Sequence, residues 1–222
     1  MMGGFQDHSL NTDFKSGLYH IIVLSIIKSC KLMVKNDNAK GITVENREEK
    51  IRTHLLENFL DNDKMRSDIG LAHIPLRFSP ENLENYDPSS DTYVGRTDIK
   101  VVSNSWFHNR NDYYTIECKR IDGTKLLNKE YINEGVCRYI GKSPKYSSYN
   151  GKNFMLGFVV KKIDCSNALA DISTIHIEKL KKYIKQDIML VEKTDEYCFC
   201  ESKYSNGLLL AHIFYDLSNV VA

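Results

Sequence analysis

The chain has 222 residues, 30 Lys and Arg against 29 Asp and Glu, a formal net charge of +1, and 42% hydrophobic residues. That is enough for one well-cored domain of ordinary composition, and it excludes a protein that grips nucleic acid by bulk positive charge. Six cysteines (Cys30, Cys118, Cys137, Cys165, Cys198, Cys200) show no framework spacing and no signal peptide opens the chain, so a reducing cytoplasm is expected.

Taken in order, residues 18–34 (LYHIIVLSIIKSCKLMV) form the first apolar segment. His20, Lys28 and Lys31 interrupt it, leaving a run shorter than the roughly 20 apolar residues a bilayer needs, so a buried or partner-facing helix is expected and no membrane contact. Residues 45–60 place Ile51, Leu55, Leu56, Phe59 and Leu60 on one stripe at helical spacing. Glu48 projects from that inward face one turn beyond its apolar part; Glu45 shares the face less centrally and Glu49 lies at its edge. Ser79-Pro80-Glu81 carries the signature of a helix start, and the rest of 77–91 has the composition of a loop.

Two strands of a hairpin follow, 93–102 (YVGRTDIKVV) and 113–120 (YYTIECKR). The period of 2 puts Glu117 and Lys119 on one face of the second and Ile116 and Cys118 on the other. Residues 129–140 give a helix with Tyr131, Ile132, Val136, Tyr139 and Ile140 in register, Glu134 and Arg138 as an i,i+4 pair, and Gly135 marking close approach to the sheet or to a phosphate. The segment 141–152 (GKSPKYSSYNGK) is a loop in which lysine alternates with tyrosine. Residues 154–160 (FMLGFVV) read as a central strand buried on both faces, 174–185 as a helix, and 197–202 and 208–215 as later strands. Cys198 and Cys200 share a strand face without a second Cys/His pair, which argues against zinc and for half-buried strand residues.

The chemistry concentrates on the hairpin. Asp98 and Glu117 offer two hard oxygen ligands, and the Cys118 carbonyl a third, to a cation such as Mg²⁺ or Mn²⁺ that keeps the rest of its shell for water and phosphate. Lys119 is the compact point charge that would orient an attacking water or steady a developing phosphorane. A salt-bridged surface pair is the plain alternative for an isolated Glu-x-Lys. No HExxH, Gly-x-Ser-x-Gly or phosphate-cradling Gly-rich motif occurs, which leaves His-led or Ser-led hydrolysis without support.

Asp98 in GRTDIKV, Glu117 and Lys119 in IECK and the helical segment NKEYINEGVCRYI, in that order, resemble the PD-(D/E)XK, restriction-endonuclease-like nuclease superfamily over residues 45–160. The proline of the family's name is replaced by Thr97. The resemblance implies an α/β fold with a mixed central sheet flanked by helices, Asp98, Glu117 and Lys119 as catalytic residues, and a metal held by Asp98, Glu117, the Cys118 carbonyl and Glu48. It also implies a nuclease acting on DNA, with RNA as the alternative substrate. The expected organisation is one domain over 1–222, with a helical extension at 1–40, the core motifs at 45–160 and a C-terminal helix and strands at 161–222.

Charge is unevenly spread: ten Lys or Arg against three Asp or Glu from Lys119 to Lys162, four against nine from Glu57 to Asp98. An acidic stretch beside a basic one suits a cation on one side and phosphate on the other. Arg138, Lys142, Lys145, Tyr146 and Lys152 are the expected nucleic-acid contacts, by backbone neutralisation and base stacking. Two other readings stay open: a catalytically silent nuclease-like module that binds DNA or protein, and a homodimer formed through 18–34.

Overall fold

The strand β4 (Lys152–Val159) organises the molecule, because after its first residue every side chain is buried. A strand apolar on both faces must have sheet on both sides and helices above and below. Here it is fourth of seven in the order β1-β2-β3-β4-β7-β6-β5, parallel to its neighbours β3 (Tyr113–Ile121) and β7 (Leu209–Asp216). The pairs β1 (Leu76–Asp87) with β2 (Thr92–Ser103), β2 with β3, β7 with β6 (Tyr197–Tyr204), and β6 with β5 (Ile184–Lys193) are antiparallel. Among the described residues the protein is therefore α/β, a seven-stranded mixed sheet with five α-helices, of which the short α3 (Asp63–Asp68) precedes β1. The structure, a computed structural model, describes residues 8–103 and 111–222, with side chains from Gly17 onward; residues 1–7 of the expected extension lie outside it.

Alternation along β4 sorts the two cores. Phe154, Leu156 and Phe158 face α1 (His8–Lys40) and α2 (Glu48–Leu55), while Met155 and Val159 face α4 (Lys125–Glu130) and α5 (Cys165–Leu180). In α1, Tyr19, Ile22, Ile26 and Met33 are buried, and the Tyr19 ring stacks on Phe154 at 5.4 Å. By length and composition Gly17–Lys40 suffices to cross a membrane, contrary to the expectation from its interrupting lysines. Half of its most apolar window is buried against this chain, which accords with the expected buried helix for that half.

Several elements differ from the expectation. Ser79-Pro80-Glu81 does not start a helix; it lies in β1, and most of 77–91 is strand. Pro80 is tolerated because β1 is an edge strand, where one missing N–H breaks no inner ladder. Left-handed backbone at Glu81 (φ 28°) and Asn85 (φ 55°) disturbs the alternation that would have signalled a strand. Helix α5 begins at Cys165, where the Asp164 carboxylate accepts from the Ser166 N–H at 2.8 Å, and it ends at Leu180. Residues 184 and 185, expected in that helix, start β5 instead. Cys198 and Cys200 are fully buried. The helices α2 and α4 each run on through a π-helical turn, Leu56–Leu60 and Tyr131–Gly135, and α4 closes with a 3-10 turn, Val136–Arg138.

Between α4, α5 and the sheet runs a buried polar chain. With both imidazoles neutral one direction satisfies every member: Tyr131 Oη donates to His212 Nδ1 (2.9 Å) and His212 Nε2 to Ser202 Oγ (2.8 Å). Ser202 Oγ then donates to Tyr204 Oη (3.0 Å), Tyr204 Oη to His176 Nε2 (2.8 Å), and His176 Nδ1 to Asp187. Burial holds both histidines below their ordinary pKa, His212 far below, His176 despite the opposing pull of Asp187. The unfolded chain therefore takes up protons first as pH falls below about 6.5, and native stability drops there by up to about 1.4 kcal/mol per pH unit for each histidine. Urea midpoints measured from pH 8 to pH 5 should fall accordingly, and His212→Gln, less stable at pH 8, should lose stability more slowly over the same interval.

Candidate active site

Lys119 is the side chain around which the site is built. The strand β3 directs it, with Glu117, to the α4 face, while Ile116 and Cys118 enter the opposite core, as the period of 2 requires. Glu117 is fully buried and Lys119 and Asp98 nearly so. The Lys119 ammonium lies 2.8 Å from Glu48 Oε1, 2.8 Å from the Cys118 carbonyl and 3.0 Å from Glu117 Oε1. Asp98 enters from β2, whose register with β3 pairs Ile99 with Ile116, and its Oδ2 accepts from the Cys118 N–H at 2.7 Å. Asp98, Glu117, Lys119 and Glu48 thus line one cavity of about 620 Å³ together with Glu49, Arg52, Glu81, Arg96 and Arg138.

Three local features hold this geometry. The segment before Glu48 is pinned to the chain's last residues by Val44 N to Val220 O (2.8 Å) and Ala222 N to Val44 O (3.0 Å), and to β3 by Arg120 Nη1 to Asn46 O (2.7 Å). Gly135 sits where a Cβ would stand 2.5 Å from Met155 Cε and 3.4 Å from Lys119 Cγ, so the missing side chain lets the π turn lie against the sheet beside the lysine. That fulfils the expectation of close approach. The same π turn adds a residue to the helical register, and Arg138 turns toward the site instead of pairing with Glu134. Its Nε lies 3.3 Å from Glu117 Oε1 and it bonds Tyr146 Oη.

The electrostatics follow from burial. The Glu117 carboxyl is pushed up to about 7, by desolvation first and by the Asp98 charge second, against the pull of Lys119, Arg138 and the Tyr146 hydroxyl bonded to Oε2 at 2.7 Å. Burial opposes the charge on Lys119, but Glu117, Glu48 and Asp98 outweigh it and hold the ammonium above its ordinary pKa. Burial is the largest influence on Arg52 and opposes its charge, but the attraction and hydrogen bond of Asp98 together with Cys118 and Glu81 outweigh it and raise the guanidinium. Glu117 Oε1 is a buried acceptor that makes no well-directed hydrogen bond, although two cations stand near it.

Glu117 Oε1, Glu48 Oε1 and the Cys118 carbonyl meet around the Lys119 ammonium, and with that ammonium moved aside they are a hard donor set that fits Mg²⁺ or Mn²⁺. Among the described residues no three His, Cys, Asp or Glu side chains stand close enough to hold an ion alone, so the carbonyl, water and substrate oxygens would complete its shell. Both oxygens of Asp98 are engaged, one by the Cys118 amide and one by Arg52. Glu45 stays outside, exposed and 3.7 Å from Arg47.

The expected nucleic-acid residues divide. Arg138 lines the cavity, and Lys142 and Lys145 are exposed on the loop beside it. Tyr146 is buried, its hydroxyl on Glu117, so it offers no open face for base stacking there. Lys152 begins β4 on the α1 face, its ammonium 5.0 Å from the Tyr19 ring centre, and does not join the others. Sequence reasoning missed Arg52, Glu81 and Arg96. Arg52 was findable, lying four residues after Glu48 on the same helix face. Glu81, which bonds Arg52 at 2.8 Å and lies 3.1 Å from Arg96, comes from the strand β1 at a position whose sequence has the pattern of a helix start.

Removing the guanidinium on Asp98 should expose its carboxylate to a competing cation. Arg52→Ala is expected to bind Mn²⁺ about tenfold more tightly than the parent in calorimetric titration, equivalent to about 1.4 kcal/mol, while melting at a lower temperature without metal. Unchanged or weaker Mn²⁺ binding would show that Asp98 takes no part in holding the ion. No family model, curated protein or solved structure matches this chain.

Proposed function

We propose that this chain is a metal-dependent nuclease of the PD-(D/E)XK kind, hydrolysing phosphodiester bonds in DNA, with RNA as the alternative substrate and Mg²⁺ or Mn²⁺ as cofactor. The observation that carries the reading is the meeting of Asp98, Glu117 and Lys119, from adjacent strands, with Glu48 in one charged cavity. The same superfamily reading takes β2, β3, α4 and β4 as a restriction-endonuclease-like core to which α1 is added. Fold likeness alone would not give the activity, so the argument lies in the site residues.

In this reading Glu117, Asp98, Glu48 and the Cys118 carbonyl hold the cation. Bound there, it would polarise the phosphodiester and make its water a better nucleophile. Lys119 keeps its proton through the neutral range, because three carboxylates favour its charge, and it is placed to orient the attacking water or to steady charge growing on a phosphate oxygen. Tyr146 holds Glu117 through Oε2 and leaves Oε1 toward Lys119 and Arg138. Arg138, Arg96 and Arg52 supply planar donors for the neighbouring phosphates.

A specific observation also favours the silent-module alternative: Lys119 already engages the Glu48, Glu117 and Cys118 oxygens, and Arg52 already engages Asp98. The two readings separate on one assay. Purified protein with Mg²⁺ or Mn²⁺ should cut linear or supercoiled DNA, and EDTA should abolish cutting. Lys119→Ala should lower the cleavage rate by roughly 10²- to 10³-fold with oligonucleotide affinity nearly unchanged and a native circular dichroism spectrum. Binding of DNA or RNA without cleavage under any of these metals, with Lys119→Ala indistinguishable from the parent, would replace the enzyme by the binding module.

A further inference from the structure

A second cavity lies on the other side of Tyr146. It measures about 370 Å³ and is lined by Tyr139, Tyr146, Tyr149, Ser148, Asn85 and Asn206 among others. Its walls come from three distant parts of the chain: the β1–β2 hairpin, the segment 139–151 and the turn before β7. The volume is at the small end of the range in which proteins bind small ligands, and the lining combines aromatic rings with a few polar groups, the mixture such sites use.

The cavity is built rather than incidental. Asn85, in left-handed backbone, donates to the Lys145 carbonyl at 2.7 Å and accepts from Ser147 Oγ at 2.9 Å, fastening the loop to the hairpin. Tyr146 N and Lys145 N both donate to the Arg138 carbonyl, at 3.0 and 2.8 Å, and Asn153 Nδ2 holds the Ser147 carbonyl at 3.2 Å. Gly95 permits the close seat of this loop, since a Cβ there would meet the Lys145 carbonyl at 2.7 Å and the Tyr146 ring at 3.0 Å. Tyr139 and Tyr146 pack edge to face at 5.2 Å, while Tyr149 leans on Tyr113 at 5.3 Å and is half exposed.

Two side chains lining this cavity have unused hydrogen-bonding capacity. Ser148 Oγ is buried and has no hydrogen-bond partner. Asn206 accepts from the Leu208 N–H through Oδ1, leaving its amide nitrogen as a donor. An unpartnered hydroxyl and an amide beside a half-exposed tyrosine ring suit a flat heterocycle with donors and acceptors on its edge. One side chain joins the two cavities: the Tyr146 hydroxyl bonds Glu117 in the charged one and its ring walls the second.

We propose that this cavity is a base-binding subsite, taking one nucleobase of the strand whose phosphate lies in the charged cavity. The inference rests on the nuclease reading and sharpens its substrate class. A base seated there is out of any stack, so the chain acts on single-stranded nucleic acid or on a nucleotide turned out of a duplex. Tyr149 supplies the stacking face, Ser148 and Asn206 the edge contacts, and Lys142 and Lys145 lie on the same loop for the flanking backbone.

The test is fluorescence anisotropy with a labelled single-stranded 12-mer in EDTA, using a set of otherwise identical strands in which one abasic site is moved along the sequence. The parent protein should lose about tenfold in affinity when the abasic site reaches one particular position, within what stacking of one base contributes. Tyr149→Ala, at an exposed position that leaves folding intact, should bind the intact strand as weakly as the parent binds that abasic strand, and should gain no further penalty from it. Ser148→Ala should show a smaller loss of the same kind, and the duplex should bind more weakly than the single strand. Equal affinity for every abasic strand, or a Tyr149→Ala defect of the same size on intact and abasic strands, would overturn the subsite. If the protein cuts nucleic acid yet shows no such position, the subsite fails and the nuclease reading stands. If the position exists and no metal supports cutting, the nuclease reading fails and the subsite stands in a binding module; no binding to any strand would remove both.

Discussion

One buried ammonium group sets the terms for the charged end of this sheet. Moving an ion from water into a protein interior costs several kcal/mol, and Lys119 is compensated by the Glu117 carboxylate and Cys118 carbonyl of its own strand, by Glu48 at the start of α2 and by the charge of Asp98. Glu117, fully buried, is in the same position with the signs reversed, and it needs Lys119, Arg138 and Tyr146 together. Each supplies part of the other's compensating charge. Apolar side chains of the same volume would pack at less electrostatic cost, which is why such a cluster points to function more than to stability.

The rest of the fold is arranged to hold those oxygens in place. Glu48 belongs to a helix whose apolar stripe, Ile51 and Leu55, is sunk in the α1 core, so its position follows from packing far from the charge. The connection ahead of it is fixed by the chain's last residues through Val44 and Val221, tying residues over 170 positions apart to the site. On the other face, Gly135 and the π turn bring α4 close enough that Arg138 reaches Glu117. Gly157, which pairs with Lys119 across the parallel ladder, leaves room for the Phe214 ring, 2.6 Å from where its Cβ would be. Small residues beneath the lysine let a helix and an aromatic ring approach a sheet that must also carry charge.

What was legible in the sequence was whatever depends on near neighbours. The period of 2 in 113–120 separated Glu117 and Lys119 from Ile116 and Cys118, and the period of 3.6 in 45–60 put Glu48 on the inward face. The apolar run at 154–160 announced the central strand. Hidden were the features set by partners distant in sequence. The pairing that makes a strand of 76–87 is with β2, and Ser79-Pro80-Glu81 taken alone carries a helix-start pattern. For Lys152, alternation from Phe154 already placed it on the α1 face; composition of the loop obscured this. Tyr146 looked like a surface stacking residue because its neighbours are Lys, Ser and Pro, and only the tertiary fold shows it buried against Glu117.

The balance of charge in the main cavity constrains how it can work. Five acids, Glu48, Glu49, Glu81, Asp98 and Glu117, face four bases, Arg52, Arg96, Lys119 and Arg138. A divalent cation added to that set makes it net positive, and a phosphodiester restores neutrality; each therefore improves the electrostatic setting of the other, and linkage makes that preference mutual. Glu81 has a separate part in this arrangement. It contacts Arg52 and Arg96 from a left-handed backbone position that a glutamate rarely adopts, and the strain there is sustained by the strand pairing on either side of it. With Arg52 bonded to both Glu81 and Asp98, its guanidinium keeps an acidic partner even when one of the two carboxylates is taken by another cation. A two-carboxylate hold of this kind lets the arginine change partners without becoming an unpaired buried charge, which is what the proposed nuclease would require of a cavity that exchanges its own ion pairs for a phosphate.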